Sequence, residues 1–256
     1  MNKFTYPLWK YKSFYEKQKK YEINKKVLKY INSKEIKGYD GYTFDVNLNI
    51  EQINNLYQPA KKLLGLYEYE IKDFLLRNLL KNKYDNLVGI GASDGIELYR
   101  ISQILKINNV SLYDIEIERY KEIWDGIFSR FKLHKNGEIF SSTEEAYLND
   151  GEQKTLAILD IEGFEFNLLE KQIHKWKNCD LIIEVHTNDP FDVDYSWGVN
   201  NHIKDKKFIP IVSEFYKSKK IITWARQTLP FLSEKDLLRM LYEQRTYSIG
   251  WIYLKI

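Results

Sequence analysis

The sequence predicts an α/β fold in which a mostly parallel β-sheet carries helices on both faces. Short apolar runs alternate with segments whose apolar residues recur at three- and four-residue steps, the pattern of strands alternating with helices. A glycine-rich turn follows the first strong apolar run, and acidic residues follow several later ones. At 256 residues the chain is long enough for one such domain and a smaller extension.

Composition narrows the class of protein. Hydrophobic residues make up 44% of the chain and charged residues 29%, which is ordinary for a soluble globular protein. The single cysteine, Cys179, excludes an intramolecular disulfide framework, and the apolar run after it predicts a buried structural thiol. No apolar run approaches the ~18 residues of a membrane span, and the N-terminus lacks the apolar core of a secretory signal. We therefore expect a cytoplasmic protein.

The first 37 residues differ from the rest, with 11 lysines against three glutamates and many interleaved aromatic residues. A helix is predicted over 8–31. It could be a basic arm for nucleic acid, an anionic glycan or a membrane surface, or a solvated helix packed on the main domain or a second subunit. The second interpretation is favoured because charge runs usually mark solvated helix faces, and the net charge is only +3. Nucleic acid is therefore not expected as a partner, and a homo-oligomer stays open.

We place residues 1–83 in a basic helical N-terminal extension and residues 84–256 in the main domain. The extension contains a hairpin signal at Asp40-Gly41 within 36–46 and one long amphipathic helix over 59–82. In the main domain, strands are predicted at 86–91, 110–114, 138–140, 155–160, 180–186, 208–212, 220–224 and 247–255. Helices are predicted at 95–105, 116–129, 142–149, 164–175, 194–204 and 233–243, the last with a capping arrangement of Ser233 and Asp236.

The turn after the first strand is a candidate cofactor site. A strand, a glycine turn and a helix N-terminus together form a cradle for a nucleotide-like ligand. About 19 residues past the turn, Asp114 ends the next apolar run, where a carboxylate could bind both ribose hydroxyls. The candidate cofactor-binding residues of the turn are Gly91, Ala92, Ser93, Asp94 and Gly95.

Acidic residues at two later strand ends are the candidate catalytic residues. Asp160 follows the apolar run 156–159, and Glu162 comes two residues later. Glu184 and His186, two apart on the next strand, point to one face. Ligands of open α/β sheets bind at the carboxyl ends of the strands, so Asp160, Glu184 and His186 should gather beside the glycine turn. His186 could act as a general base toward a hydroxyl. Alternatively these three residues could bind a divalent metal that acidifies the hydroxyl.

These motifs, in their order and spacing, resemble those of FkbM-type methyltransferases. The similarity covers roughly residues 57–255 and rests on Val88–Gly95, Tyr113-Asp114, Leu159–Glu165 and Ile183–His186. It implies a class I S-adenosylmethionine-dependent enzyme with a Rossmann-like sheet, mostly parallel with an antiparallel last strand. It also implies that the glycine turn and Asp114 bind the methionine and ribose parts of the cofactor, with Ser141 near the adenine. Members typically methylate oxygen atoms, which suggests a small-molecule or glycan acceptor.

Acceptor contacts are expected from loops after the fifth strand and near the C-terminus. The candidate residues are Glu162, Asn188, Trp197 and Arg245. Three other classes remain as alternatives: a nucleic-acid methyltransferase that uses the basic arm, an NAD-binding oxidoreductase, and a catalytically silent scaffold. The oxidoreductase is disfavoured because Gly91–Gly95 is not a Gly-x-Gly-x-x-Gly turn, and because an acid there suits a cationic methionine ammonium better than a pyrophosphate.

Overall fold

The structure is a computed structural model that describes residues 8–32, 37–42, 56, 58–127, 131–134, 152–174, 176–186, 208–211, 219–241 and 249–256. The chain divides into two compact units. The first comprises residues 1–44, 58–67 and 214–244, and the second comprises 45–57, 68–213 and 245–256. This division differs from the boundary predicted after residue 83, because 68–83 belong with the sheet and 214–244 with the N-terminal helix.

The helices, in chain order, are α1 (Leu8–Asn32), α2 (Pro59–Leu63), α3 (Tyr69–Phe74, continued by a π-helical turn over Leu75–Leu79), α4 (Ile96–Leu105), α5 (Ile117–Ile127), α6 (Glu165–Gln172), α7 (Lys219–Thr228) and α8 (Glu234–Leu241). The strands are β1 (Asn86–Ile90), β2 (Asn109–Tyr113), β3 (Phe131–His134), β4 (Thr155–Leu159), β5 (Cys179–His186), β6 (Phe208–Ile211) and β7 (Ile249–Lys255).

The first unit is helical in its described part, and α1 packs on α2 and α8. Helix α1 buries Ile23, Val27 and Leu28 while its lysines at 19, 25, 26 and 29 are exposed, which matches a solvated helix with one packed stripe. The Oγ atom of Ser233 accepts a hydrogen bond from the Asp236 N–H at 3.2 Å, so the predicted cap of α8 is confirmed.

The second unit is built on a seven-stranded sheet with the order β3-β2-β1-β4-β5-β7-β6. Strand β7 is antiparallel to both of its neighbours, and the other pairs are parallel. The second unit therefore has a Rossmann-like α/β fold with a mostly parallel sheet and an antiparallel last strand, and the predicted fold class is confirmed. The Cys179 thiol is fully buried at the start of β5, and this burial raises its pKa.

The two faces of the sheet carry different helices. One face packs against α6 through an apolar core formed by Val88, Ile90, Tyr113, Ala157, Leu159, Leu168, Leu169, Ile173, Trp176, Cys179, Leu181, Ile183, Val185, Ile252 and Leu254. On the other face, a Cβ atom at Gly89 would lie 2.0 Å from Leu98, so the glycine lets α4 approach β1 closely. The ring of Phe74 in α3 lies 5.2 Å from that of Tyr253 in β7. We call the face covered by α3 and α4 the α3/α4 face.

The amino edge of the α3/α4 face holds a buried carboxylate, Asp180, at the start of β5. Its Oδ2 atom accepts a hydrogen bond from the Tyr84 hydroxyl at 2.5 Å and lies 3.2 Å from the Lys154 ammonium. The Tyr253 hydroxyl also bonds to Asp180. Burial, followed by the interaction with Asp180, raises the pKa of both tyrosines. Asp180 is thus surrounded by donors and one cation.

Two predicted elements are wrong. The helix expected over 59–82 is interrupted at 64–68, where Gly65 has φ +67° and Glu68 has φ +44°. The strand expected at 220–224 lies within helix α7, because Ile221, Ala225 and Leu229 are all fully buried at four-residue steps. Helical burial therefore overrides the β-branched residues of this segment.

Other predicted elements fall partly or wholly outside the described residues. The Asp40-Gly41 turn is present, with a hydrogen bond from the Gly38 N–H to the Tyr42 carbonyl at 2.9 Å, but the flanking hairpin residues lie outside. The segments 138–140, 142–149 and 194–204 also lie outside. Strand β3 was not predicted and follows α5 directly in sequence.

Candidate functional site

The carboxyl edge of the sheet aligns the predicted site residues in one row. The Gly91 N–H donates to the Tyr113 carbonyl at 2.8 Å, and the Asp160 N–H donates to the Ile90 carbonyl at 2.9 Å. These bonds extend the parallel ladders of β2, β1 and β4 by one residue. Because Leu159 pairs with Ile183, the next residues in register are Asp160 and Glu184. The row therefore runs Asp114, Gly91, Asp160 and Glu184.

The turn between β1 and α4 is shaped by a close backbone approach at Gly91. Its φ is +79°, and a Cβ atom there would lie 1.6 Å from the Asp160 carbonyl oxygen. No side chain can occupy that position without moving β4. The turn continues through Ala92 to Ser93 and Gly95, whose φ values are +50° and +73°. The turn thus holds the end of β1 against the backbone of Asp160 and leads into the N-terminus of α4.

Asp114 holds the turn in place. Its Oδ2 atom accepts the Ser93 N–H at 2.8 Å and its Oδ1 atom accepts the Glu116 N–H at 2.7 Å. Each carboxylate oxygen keeps a second lone pair. The side chain is 7% exposed, so Asp114 is fixed by the backbone and still has capacity to accept ligand hydroxyls.

Asp94 is too deeply buried for a direct contact with a ligand. It is 1% exposed, and its Oδ1 atom accepts the Ile96 N–H at 3.2 Å in the first turn of α4. This hydrogen bond holds the chain in place where it enters α4. The neighbouring Ser93 hydroxyl lies 3.3 Å from the Tyr120 hydroxyl of α5, which gives the turn a second support.

Three carboxylates meet at the Asp160 end of the row. Oxygen atoms of Glu68, Asp160 and Glu184 all lie within 4.8 Å of one another. Glu68 and Glu184 are 7% and 3% exposed. Burial raises the pKa of Asp160 well above its ordinary value, and the charges of Glu184, Glu68 and Glu162 and a hydrogen bond with Glu184 raise it further. Carboxylate oxygens are hard ligands, so this acid cluster has the donor type that Mg²⁺ or Ca²⁺ prefers.

Sequence reasoning missed Glu68. It lies in the break between α2 and α3 with φ +44° and ψ +42°, a left-handed conformation that costs a non-glycine residue about 1–2 kcal/mol. The available signal was Gly65 inside an otherwise continuous helical pattern, which marks a break. Nothing in the local sequence connects Glu68 to Asp160 and Glu184, because the three meet only in the tertiary structure.

The loop after β4 leaves the acid Glu162 exposed and buries the acid Glu165, which has a structural role. Glu162 is exposed with φ +54°, and the ring of Phe164 is 64% exposed beside it. Glu165 is 1% exposed, and its carboxylate accepts hydrogen bonds from the Ile161 N–H at 2.9 Å and the Gly163 N–H at 3.1 Å. Glu165 therefore closes the loop at the start of α6 and leaves Glu162 at its tip.

Several predicted site residues cannot be placed. His186 ends β5 opposite Ile249, but its side chain lies outside the described part of the structure. Ser141, Asn188, Trp197 and Arg245 also lie outside it. Of the predicted residues that are described, the carboxyl edge brings together the glycine turn, Asp114, Asp160, Glu162 and Glu184.

No protein-family model and no curated protein matches the chain. Solved structures do match. The tRNA (m1A58) methyltransferase TrmI from Aquifex aeolicus is 13% identical with a TM-score of 0.41, over 73% of this chain and 68% of its own. The plantazolicin methyltransferase BpumL, in complex with a triazolic desmethylPZN analog and SAH, is 14% identical with a TM-score of 0.43, over 74% of this chain and 83% of its own. Coclaurine N-methyltransferase, bound to N-methylheliamine and SAH, is 12% identical with a TM-score of 0.39, over 92% and 93%.

At these identities and TM-scores, the function of the chain has to be argued from its own residues. None of the helices in the described ranges has the length and apolar character that a membrane span requires.

Proposed function

We propose that the chain is an S-adenosylmethionine-dependent methyltransferase that methylates a hydroxyl oxygen of a small-molecule or glycan acceptor. The observation that carries this proposal is the row of Asp114, Gly91, Asp160 and Glu184 along the carboxyl edge. In this proposal Asp114 would bind the ribose, the turn at Gly91 would hold the methionine part, and Asp160 and Glu184 would accept the proton.

The residues of the row fit S-adenosylmethionine. The close approach of the Asp160 backbone requires a glycine at position 91, so the row has no side chain between the two flanking carboxylates. Asp114 would hold the ribose hydroxyls, and the turn from Gly91 to Gly95 would hold the methionine part. Bound there, the cofactor would supply a methyl group on a sulfonium sulfur. An acceptor oxygen could attack the methyl carbon in line and displace the sulfur.

The strand order favours this cofactor over a dinucleotide. Dinucleotide-binding sheets commonly have the order 3-2-1-4-5-6, with the ligand at the point where the order reverses. Here β7 lies between β5 and β6 and runs antiparallel to both. The net charge of +3 and the solvent exposure of Lys19, Lys25, Lys26 and Lys29 on α1 give a nucleic-acid acceptor no specific support.

The acid cluster is suited to remove the acceptor's proton. A carboxylate whose pKa is raised by burial and by neighbouring acids is a stronger base than one in water. As the acceptor oxygen bonds to the methyl carbon, its proton would pass to Asp160 or Glu184. His186, at the end of the same strand as Glu184, remains a proposed second base. Orientation of the acceptor should supply most of the rate gain.

A metal-assisted route is the alternative for the same residues. A divalent cation held by Asp160 and Glu184, together with Glu68 or His186, would lower the pKa of a bound hydroxyl. Methyl transfer from radiolabelled S-adenosylmethionine to a panel of glycosides and phenols separates the routes. Loss of transfer with a chelator, restored by Mg²⁺, would favour the metal. If transfer persists with the chelator, the base route stands, and full turnover by His186→Ala would then leave the base to Asp160 or Glu184.

Calorimetric titration with S-adenosylhomocysteine tests the proposal itself. The intact chain should bind it, and Asp114→Ala should weaken binding at least tenfold because the ribose loses its acceptor. Asp73→Ala is the matched control, since Asp73 pairs with Arg77 in the second unit away from the row. If the intact chain does not bind S-adenosylhomocysteine, the methyltransferase proposal is wrong.

A further inference from the structure

Strand β7 adds a hydrogen-bond donor to the row. Trp251 pairs directly with Glu184 across the antiparallel β5–β7 ladder. Directly opposite residues of such a pair project from the same face, with Cβ atoms about 4.5–5.5 Å apart. Trp251 therefore continues the row past Glu184, on the α3/α4 face that carries the acid cluster.

The indole nitrogen of Trp251 has no protein partner within the described part of the chain. The residue is 3% exposed, and its Nε1 atom makes no hydrogen bond to any described residue. A buried N–H without an acceptor is destabilising, so native proteins rarely leave one unless a ligand or water supplies the acceptor. The residue that carries this donor is the direct cross-strand neighbour of Glu184.

The combination of an indole N–H donor and carboxylate acceptors indicates which ligand group could form hydrogen bonds with both. Carboxylates accept hydrogen bonds, whereas the indole N–H only donates. A hydroxyl satisfies both at once, because it donates its proton to a carboxylate and accepts from the indole. A protonated amine or a bare cation has no lone pair to offer, so either would leave the Trp251 N–H unpaired.

We infer that Trp251 Nε1 and the acid cluster form a hydroxyl-binding subsite for the methyl acceptor. The inference rests on the proposed function and deepens it, because it names Trp251 as a residue that would bind the acceptor hydroxyl. Trp251 would direct one lone pair of the hydroxyl toward itself while Glu184 or Asp160 receives the proton. The other lone pair then remains for the methyl carbon.

Nuclear magnetic resonance of the indole groups tests this subsite. The full chain, saturated with S-adenosylhomocysteine and labelled with ¹⁵N at its six tryptophans, gives one indole signal per residue. Trp251→Phe or Trp251→Tyr assigns the relevant signal, whichever folds. The probes share one ring: cyclohexanol, cyclohexylamine and methoxycyclohexane. The internal control is Trp124, whose Nε1 is also buried and without a partner in the described residues but lies on α5, outside the row.

Cyclohexanol should shift the Trp251 indole signal and leave the Trp124 signal in place, and Trp251→Phe should weaken its binding about fivefold. Cyclohexylamine should not shift the Trp251 signal. A shift with the amine but not the alcohol would overturn the inference in favour of a cation site, and no shift with any probe would overturn it outright. If S-adenosylhomocysteine fails to bind but cyclohexanol still shifts Trp251 in the free protein, the proposed function fails and the hydroxyl subsite stands.

Discussion

Strand β5 carries a buried carboxylate near each of its ends, and the two carboxylates have opposite kinds of neighbours. Asp180 and Glu184 are four residues apart on the same face, and they are 1% and 3% exposed. Asp180 receives hydrogen bonds from Tyr84 and Tyr253 and lies 3.2 Å from the Lys154 ammonium. Glu184 is grouped instead with two further carboxylates, Asp160 and Glu68.

We interpret this difference as the difference between a structural acid, Asp180, and an acid with a proposed function, Glu184. A buried charge is tolerated when donors and an opposite charge surround it, as at Asp180. A buried group of acids raises its own proton affinity and opposes folding at neutral pH, as the raised pKa of Asp160 indicates. We infer that the amino edge contributes stability and that the carboxyl edge retains its acids for ligand binding and proton transfer.

The largest expected effect concerns the close backbone approach at the carboxyl edge. Gly91→Ala would place a Cβ atom 1.6 Å from the Asp160 carbonyl oxygen at a φ of +79°. We expect a loss of about 3 kcal/mol or more in the free energy of unfolding, measured by urea denaturation, with loss of S-adenosylhomocysteine binding. Gly163→Ala is the control, because its φ is +100° but nothing lies within 4 Å of the added atom. Equal losses in both variants would mean that the approach at Gly91 is easily relieved.

The second effect concerns the amino edge. Asp180→Asn removes the charge that Lys154 and the two tyrosine hydroxyls surround, so we expect a loss of about 2–3 kcal/mol in the free energy of unfolding. Asp73→Asn, which breaks an exposed pair with Arg77, should cost less than about 0.5 kcal/mol. S-adenosylhomocysteine should still bind the folded Asp180→Asn variant. Loss of that binding would show that the two edges are coupled.

A smaller effect distinguishes two acids within one loop at the carboxyl edge. Glu165→Gln weakens the bonds from the Ile161 and Gly163 N–H groups, and we expect a loss of about 1–2 kcal/mol in unfolding free energy. Glu162→Gln changes an exposed side chain and should stay within about 0.5 kcal/mol of the wild type. If Glu162→Gln were the more damaging change, Glu162 rather than Glu165 would close the loop.

Much of the sheet could be predicted from sequence because its buried parallel strands are continuous apolar runs. The runs at 86–91, 155–160 and 180–186 coincide with β1, β4 and β5, and the acids that follow two of them lie at the carboxyl edge as expected. Position in a parallel strand fixes the edge, so Asp114 and Asp160 could be assigned without coordinates.

The other features could not be predicted from the sequence, because they depend on contacts between residues that are far apart in the chain. Ile221 and Ile222 carry β-branched side chains in a local pattern typical of a strand, yet burial at four-residue steps makes the segment a helix. Glu68 and Trp251 come near Glu184 only in the tertiary structure. Glu68 is a left-handed residue ahead of α3 that meets two strand ends, and the antiparallel pairing of β5 with β7 places Trp251 opposite Glu184. Neither position carries a local motif.

The sign of one stability change tests the central claim most directly. A group whose folded pKa is raised contributes its stability below its unfolded pKa, about 3.9 for aspartate, and loses it as pH rises through the folded pKa. Asp160→Asn cannot ionise, so urea unfolding should show it more stable than the wild type at pH 8, by on the order of 1 kcal/mol, and the gain should shrink toward pH 4. Asp180→Asn should be less stable at pH 8. If Asp160→Asn is destabilised at pH 8 as strongly as Asp180→Asn, the acids at the carboxyl edge are structural and the account is wrong.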